Sequence, residues 1–207
     1  MHIAIAGNIG CGKTTLTTKL AEHFGWEAAY ESVDDNPYLK DFYGDMERWA
    51  FHLQVFFLNN RFNQITEIRK SGIKVVQDRS IYEDAYIFAT NLHQSSKMSS
   101  RDFENYMTLF KAMIPHIQAP DLLIYLRADL PKLLEQIKKR GRGYENAIQP
   151  DYLEGLNRHY EDWVANYELG NLLVIDVNDL DYTKRPEDFQ FILNQVKTEL
   201  NQKIKVV

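Results

Sequence analysis

Residues 7–14 read Gly7-Asn8-Ile9-Gly10-Cys11-Gly12-Lys13-Thr14, a full match to the pattern G-x-x-x-x-G-K-[ST]. This octapeptide constrains the chain more than any other stretch, because its chemistry works only between a buried strand and a helix. Three glycines let the backbone curl so that N–H groups point inward at phosphate oxygens. A helix opening near Lys13 aims its positive end at the same place. Lys13 then reaches the β- and γ-phosphates, and the Thr14 hydroxyl suits Mg²⁺. Thr15, next in the first helical turn, completes the candidate nucleotide-binding set Gly7, Asn8, Ile9, Gly10, Cys11, Gly12, Lys13, Thr14 and Thr15. The required context is present: the apolar run Ile3–Ala6 ends at the first glycine and a helical pattern starts at the lysine. The motif implies binding of a nucleoside triphosphate such as ATP and leaves the second substrate open.

The same alternation continues along the chain. Short apolar runs at Ile3–Ala6, Val75–Gln77, Leu122–Leu126 and Leu172–Ile175 read as buried strands, with a weaker one near Trp26–Tyr30. Helical periodicity covers 13–24, 46–70, 81–92, 101–117, 131–140, 151–167 and 186–200. Pro131 and Pro186 sit at first-turn positions. Strands separated by helices imply parallel pairing and right-handed crossovers. The expected architecture is α/β, a parallel sheet of about five strands flanked by helices. Its ligands should lie at the carboxyl ends of the strands.

The 207 residues fit one domain, residues 1–207. The net charge of -5 argues against a nucleic-acid polymer as partner, and no apolar run approaches a membrane span. The N-terminus goes straight into a strand without the basic start of a signal peptide. The single cysteine, Cys11, excludes an internal disulfide and fits a reducing compartment. The chain reads as cytoplasmic.

Charged groups stand where the strands end. Asp78 follows Val75–Gln77 and is a candidate partner for Mg²⁺; the alternative is a helix N-cap, a role open to Ser80 as well. Glu31 ends the weak second strand. It is either a base for an attacking hydroxyl or a solvated loop acid. Arg79 could orient that carboxylate, or make a surface ion pair worth at most ~1 kcal/mol. Lys138-Lys139-Arg140-Gly141-Arg142-Gly143-Tyr144-Glu145 is a basic, glycine-broken segment. It is either a solvated charge run or, beside a phosphate loop, a lid, about residues 138–146, whose arginines meet the transferred group.

Together these residues resemble the deoxynucleoside kinase family. The likeness runs from Ile3 to about Trp163 and includes Val33-Asp34-Asp35-Asn36-Pro37-Tyr38-Leu39, Phe42-Tyr43, Trp49–Gln54, Asp78-Arg79-Ser80-Ile81-Tyr82-Glu83-Asp84 and Arg140-Gly141-Arg142. It looks closest to the bacterial deoxyadenosine/deoxycytidine kinases. The resemblance implies a P-loop kinase fold and transfer of the ATP γ-phosphoryl to the 5′-hydroxyl of a small-molecule deoxynucleoside. It makes Glu31 the general base, supported by Arg79, with Lys13, Arg140 and Arg142 at the phosphates. It places Gln54 at the base edge, Phe88 stacked on the base, and Tyr43 and Glu145 at the sugar 3′-hydroxyl. The Arg61/Asp84 pair marks members that take deoxyadenosine, deoxycytidine or deoxyguanosine, expected here in that order. Arg61 is seven positions after Gln54, hence on the same helical face. Family members are usually dimers, and the segments 46–70 and 101–117 are apolar enough to form such a face. One departure is Gln136, where many members carry an arginine that contacts phosphate or adenine.

Two other functions share the P-loop. A nucleoside monophosphate kinase, such as thymidylate kinase, needs cations for the acceptor's own phosphate. The segment Asp34–Trp49 is instead rich in acids. A nucleotide-sensing switch needs an effector region for which the chain has no separate domain.

Overall fold

The computed structural model describes residues 1–31 and 36–204. The motif residues Val33, Asp34 and Asp35 lie outside the described residues. Five strands, β1 (His2–Gly7), β2 (Glu27–Ala29), β3 (Val75–Asp78), β4 (Leu122–Arg127) and β5 (Asn171–Asp176), form one sheet in the order β2-β3-β1-β4-β5. All four pairings are parallel. After β1 the chain moves to one side of the sheet and later to the other, so β1 sits at the reversal where α/β sheets bind ligands. The register Ile5↔Asp78 sets the end of β3 beside the phosphate loop that follows β1.

Alternation along the strands divides the core. Ile3, Ile5, Ile124 and Leu126 pack with Leu16, Leu20, Ile192 and Val196 from the helices α1 (Lys13–Phe24) and α9 (Pro186–Ile204). Ala4, Ala6, Leu123 and Tyr125 pack on the opposite side with Leu156 and Tyr160 of α8 (Pro150–Ala165). Period-two side-chain direction gives each face its own cluster. β2 and β5 are the less buried edge strands. A third cluster joins α2 (Leu39–Gly44), α3 (Met46–Ser71) and α6 (Ser100–Met113).

Local signals set the helix ends. Asp45 caps α3 by accepting the Arg48 N–H at 3.1 Å. Gly141, at φ 70°, ends α7 (Leu130–Arg140) in the left-handed region and turns the basic segment away from the helix. Two expectations need correction. The periodic stretch 81–92 is not one regular helix: α4 (Ile81–Glu83) leads through a π-helical segment, Asp84–Ala89, into α5 (Thr90–Gln94). Thr90 Oγ1 donates to the Ala85 carbonyl of that segment at 2.9 Å. The stretch 101–117 ends early, in a 3₁₀ turn Ile114–His116, because Pro115 cannot continue the α-helical ladder. The short α2 was not expected from periodicity. Among the described residues, no helix is long and apolar enough to cross a membrane.

Candidate active site

The phosphate loop is fixed by its own side chains and by distant residues. Gly7, Gly10 and Gly12 all have positive φ. A Cβ on Gly12 would collide with the Tyr182 hydroxyl, which donates to the Gly12 carbonyl at 3.1 Å. Lys13 is buried, and its Nζ donates to the Asn8 carbonyl at 3.0 Å. Two amides of the loop have acceptors inside it. Asn8 Oδ1 accepts the Ile9 N–H at 2.7 Å, and the Asn8 carbonyl accepts the Cys11 N–H at 3.3 Å. Asn8 Nδ2 is anchored on Leu153 O and Asn157 Oδ1, and the Cys11 side chain is buried. Asn8 and Cys11 thus brace the loop. Lys13, Thr14 and Thr15, the first residues of α1, have no intrahelical acceptor for their N–H groups.

β3 delivers the next groups. Thr14 Oγ1 donates to Asp78 Oδ2 at 2.5 Å. Asp78 Oδ1 is buried with no hydrogen-bonding partner among the described residues. Burial raises the Asp78 carboxyl, and the Lys13 charge opposes that rise. A hydroxyl and a half-satisfied carboxylate side by side fit a hard cation that keeps most of its ligands from water and phosphate. The expected N-cap alternative for Asp78 is not taken. Ser80 occupies the cap position and its N–H donates to Glu83 Oε2 at 2.6 Å.

Glu31 sits between two guanidinium groups. Its Oε1 lies 2.9 Å from Arg61 Nη2 and 2.9 Å from Arg79 Nε. Burial pushes the Glu31 carboxyl up, but the Arg79 and Arg61 charges outweigh it and hold it down at about 2. Glu31 is therefore an ordered, ionised group and not a solvated loop acid. Arg61 places all five N–H donors: on Glu31, on both oxygens of Asp84, and on the carbonyls of Asp78 and Arg79. Burial raises the Asp84 carboxyl to about 6 against the opposing pull of Arg61.

Arg79 has φ 71°, a left-handed backbone that costs a non-glycine residue about 1–2 kcal/mol. Its contacts offset that cost: Glu31, the Tyr160 hydroxyl at 3.0 Å, and the Phe88 ring with its centroid 4.3 Å away. The Tyr160 hydroxyl lies 2.7 Å from Glu83 Oε1 and 2.8 Å from Gly7 O and shares its one hydrogen between them, while Glu83 Oε1 accepts the Gly7 N–H at 3.2 Å. One network therefore ties the first residue of the phosphate loop to Arg79. Tyr160 and Glu83 were missed in the sequence. The Ser80-x-x-Glu83 capping-box spacing could have flagged the glutamate; Tyr160, far along the chain, gives no local signal.

These groups border a cavity of about 390 Å³. Lys13, Thr14, Glu31, Tyr43, Gln54, Asp78, Arg79, Asp84, Phe88, Arg140, Arg142 and Glu145 all line it. Arg61 stands behind the lining, reaching it through Glu31 and Asp84. Leu53, Phe57, Tyr144 and Tyr152 also line it and were not expected. Leu53, Gln54, Phe57 and Arg61 follow helical spacing on α3, a pattern indistinguishable in sequence from a core-facing stripe. Gln54 is 2% exposed and its Oε1 has no hydrogen-bonding partner among the described residues. Tyr43 stacks on Tyr144 at 5.6 Å. Across the mouth, Glu145 accepts from Arg140 at 2.5 and 3.0 Å and lies 3.7 Å from Arg142.

A phosphate loop, an ionised carboxylate and an apolar pocket with a free amide oxygen thus share one cavity. Comparison with known proteins agrees. The deoxyadenosine/deoxycytidine kinase of Bacillus subtilis (strain 168) is 40% identical over 205 residues, covering 98% of this chain and 94% of that protein. The deoxyguanosine kinase of Lactobacillus acidophilus is 36% identical over 209 residues, covering 97% of this chain and 91% of that protein. A solved structure of deoxyadenosine kinase from M. mycoides, with products dCMP and a flexible dCDP bound, superposes with a TM-score of 0.86 at 28% identity. It covers 96% of this chain and 100% of that one. The family model described as deoxynucleoside kinase matches residues 3–201, and the chain belongs to that family.

Proposed function

We propose that this chain is a single-domain, ATP-dependent kinase that phosphorylates the 5′-hydroxyl of deoxyadenosine first, then deoxycytidine and deoxyguanosine. The observation that carries the reading is the position of Glu31, ionised and lining the one cavity that also holds Lys13 and Gln54. The nucleoside 5′ oxygen attacks the γ-phosphorus, the bond to the β–γ bridging oxygen breaks, and ADP leaves. Glu31 takes the hydroxyl proton. In a loose transition state that proton departs late, so a carboxylate of low basicity suffices if it is well placed. Lys13 and the first amides of α1 hold the β- and γ-phosphates, and Arg140 and Arg142 close over them from the lid, about residues 138–146. Thr14 and Asp78 would hold Mg²⁺, which when bound would neutralise negative charge on the transferring phosphates. Glu145 and Tyr43 take the sugar 3′-hydroxyl, an exchange that frees the two arginines for phosphate.

At the base, Gln54 offers an acceptor and donors to an amino–imine edge such as that of adenine or cytosine. Phe88 supplies the stacking face, and Asp84, backed by Arg61, a second acceptor. Relatives named for deoxyadenosine, deoxycytidine and deoxyguanosine support this range. Gln54→Leu is expected to lower kcat/KM for deoxyadenosine about a hundredfold, the worth of two lost hydrogen bonds. The KM for ATP should stay unchanged. A panel of the four deoxynucleosides with ATP and Mg²⁺ tests the preference; thymidine as the best acceptor would contradict it.

The pH profile follows from the two arginines. Glu31 loses its proton at about 2, below its ordinary value, so it is ionised at every higher pH. The rate should therefore show no protonation step from Glu31 between about pH 5 and 9. A one-proton acid limb in that range that vanishes in Glu31→Gln would contradict the assignment.

We place the enzyme in the cytoplasm as a homodimer. The half-exposed Phe51, Val55 and Phe62 of α3 and Met107 of α6, with the exposed Leu109, support a shared apolar face.

A further inference from the structure

The strand that leads to Glu31 is the shortest in the sheet. β2 pairs with β3 only over Glu27–Ala29, at an edge, and its ladder stops before Tyr30. Yet Glu31 must hold its carboxylate to a fraction of an ångström to serve as a base. Something beyond the ladder has to fix the peptide that joins Tyr30 to Glu31.

A chain of amides does so. Gln64 Nε2, on α3, donates to the Tyr30 carbonyl at 2.9 Å. Gln77 Nε2, on β3, donates to Gln64 Oε1 at 2.6 Å. Gln77 Oε1 meets His2 Nε2 of β1 at 2.8 Å, and the His2 backbone N–H donates to Asp121 Oδ2 at 2.8 Å. Gln77 is 0% exposed, and a buried amide is tolerated because both of its ends are bonded. The direction of the chain is fixed by its last member. A backbone carbonyl can only accept, so Gln64 must present its NH₂ to Tyr30 and its oxygen to Gln77. Gln77 must then present its NH₂ to Gln64 and its oxygen to His2, which places a hydrogen on His2 Nε2. On the other side, the Tyr30 hydroxyl meets Thr18 Oγ1 of α1 at 2.9 Å.

We infer that Gln64, oriented by Gln77 and His2, is a positioning residue for the catalytic base. The Tyr30 carbonyl shares a rigid peptide plane with the Glu31 nitrogen and Cα. Clamping that carbonyl sets the height at which the Glu31 side chain leaves the backbone, while Arg61 and Arg79 set its direction. The clamp holds the end of β2 against α3, the helix that also bears Gln54 and Arg61, so base and nucleoside pocket share one frame.

This rests on Glu31 being the base, and the experiment separates the two. Gln64→Met keeps the side-chain length and removes the donor. Gln64 is only half-buried, so the variant should fold, and Gln64→Ala serves as a second version. The expected result is a fall in kcat of about tenfold with the KM for ATP unchanged. In the Glu31→Gln background the same substitution should cause no further loss, because a misplaced group that is already disabled cannot be disabled again. Full activity of both Gln64 variants while Glu31→Gln is crippled would overturn the positioning role and leave the base intact. The same fold-loss in both backgrounds would also overturn it, showing a merely structural part. Near-normal turnover of Glu31→Gln itself would remove the base assignment and the inference with it.

Discussion

Replacing Lys13 by methionine is expected to lower kcat for deoxynucleoside phosphorylation by about 10³-fold, the scale of losing a preorganised charge at the transferred group. The variant should remain folded. Lys13 is buried, and its amine donates to the Asn8 carbonyl, which also accepts the Cys11 N–H, and weakly to Cys11 Sγ at 3.9 Å. Losing it leaves that carbonyl one bond poorer, at a cost of about 1 kcal/mol. Methionine fills nearly the same volume. The loop's shape comes from elsewhere: Asn8 Nδ2 on Leu153 and Asn157, and Tyr182 against Gly12. Steady-state kinetics beside a thermal melt separates the two effects. A collapse of the melt would show that Lys13 holds the loop together. An unchanged kcat would remove it from the chemistry.

Glu31→Gln should lower kcat by about 10²- to 10³-fold, the range of a lost general base. The swap keeps shape and removes one charge. Arg61 retains its paired contacts with Asp84, and Arg79 retains Tyr160 and the Phe88 ring, so neither guanidinium is stranded. The KM values for nucleoside and ATP should move by a few-fold at most. If kcat holds while the nucleoside KM rises sharply, Glu31 binds the sugar and another group takes the proton.

The sheet and the phosphate loop were legible because their signals are local. Ile3–Ala6 is apolar on both faces, and the glycine pattern follows at once. β2 was legible only weakly, since an edge strand of three residues leaves no clear period. The π-helical segment was not legible. The stretch reads as an ordinary helix, and the contacts found along the widened turn, Asp84 and Phe88 on the cavity and Thr90 on Ala85, leave no period in the sequence. The residues gathered at the site came largely through family likeness. Spacing alone could not tell Gln54 or Phe88 from a helical core stripe. Arg61 was expected beside Asp84, but its bond to Glu31 spans thirty residues and arises only when the segment after β2 meets α3. The Gln64–Gln77–His2 chain was hidden for the same reason: its polar residues lie on three separate elements, each with a strand or helix pattern that explains it alone.

The most direct measurement is a crystal structure of the ternary complex with deoxyadenosine, Mg²⁺ and a non-hydrolysable ATP analogue. The nucleoside 5′ oxygen should lie within hydrogen-bond reach of Glu31, about 2.6–3.2 Å, with the γ-phosphorus in line beyond it and the triphosphate on the Lys13 loop. A 5′ oxygen well outside that distance, or a triphosphate bound away from Gly7–Thr14, would contradict the account.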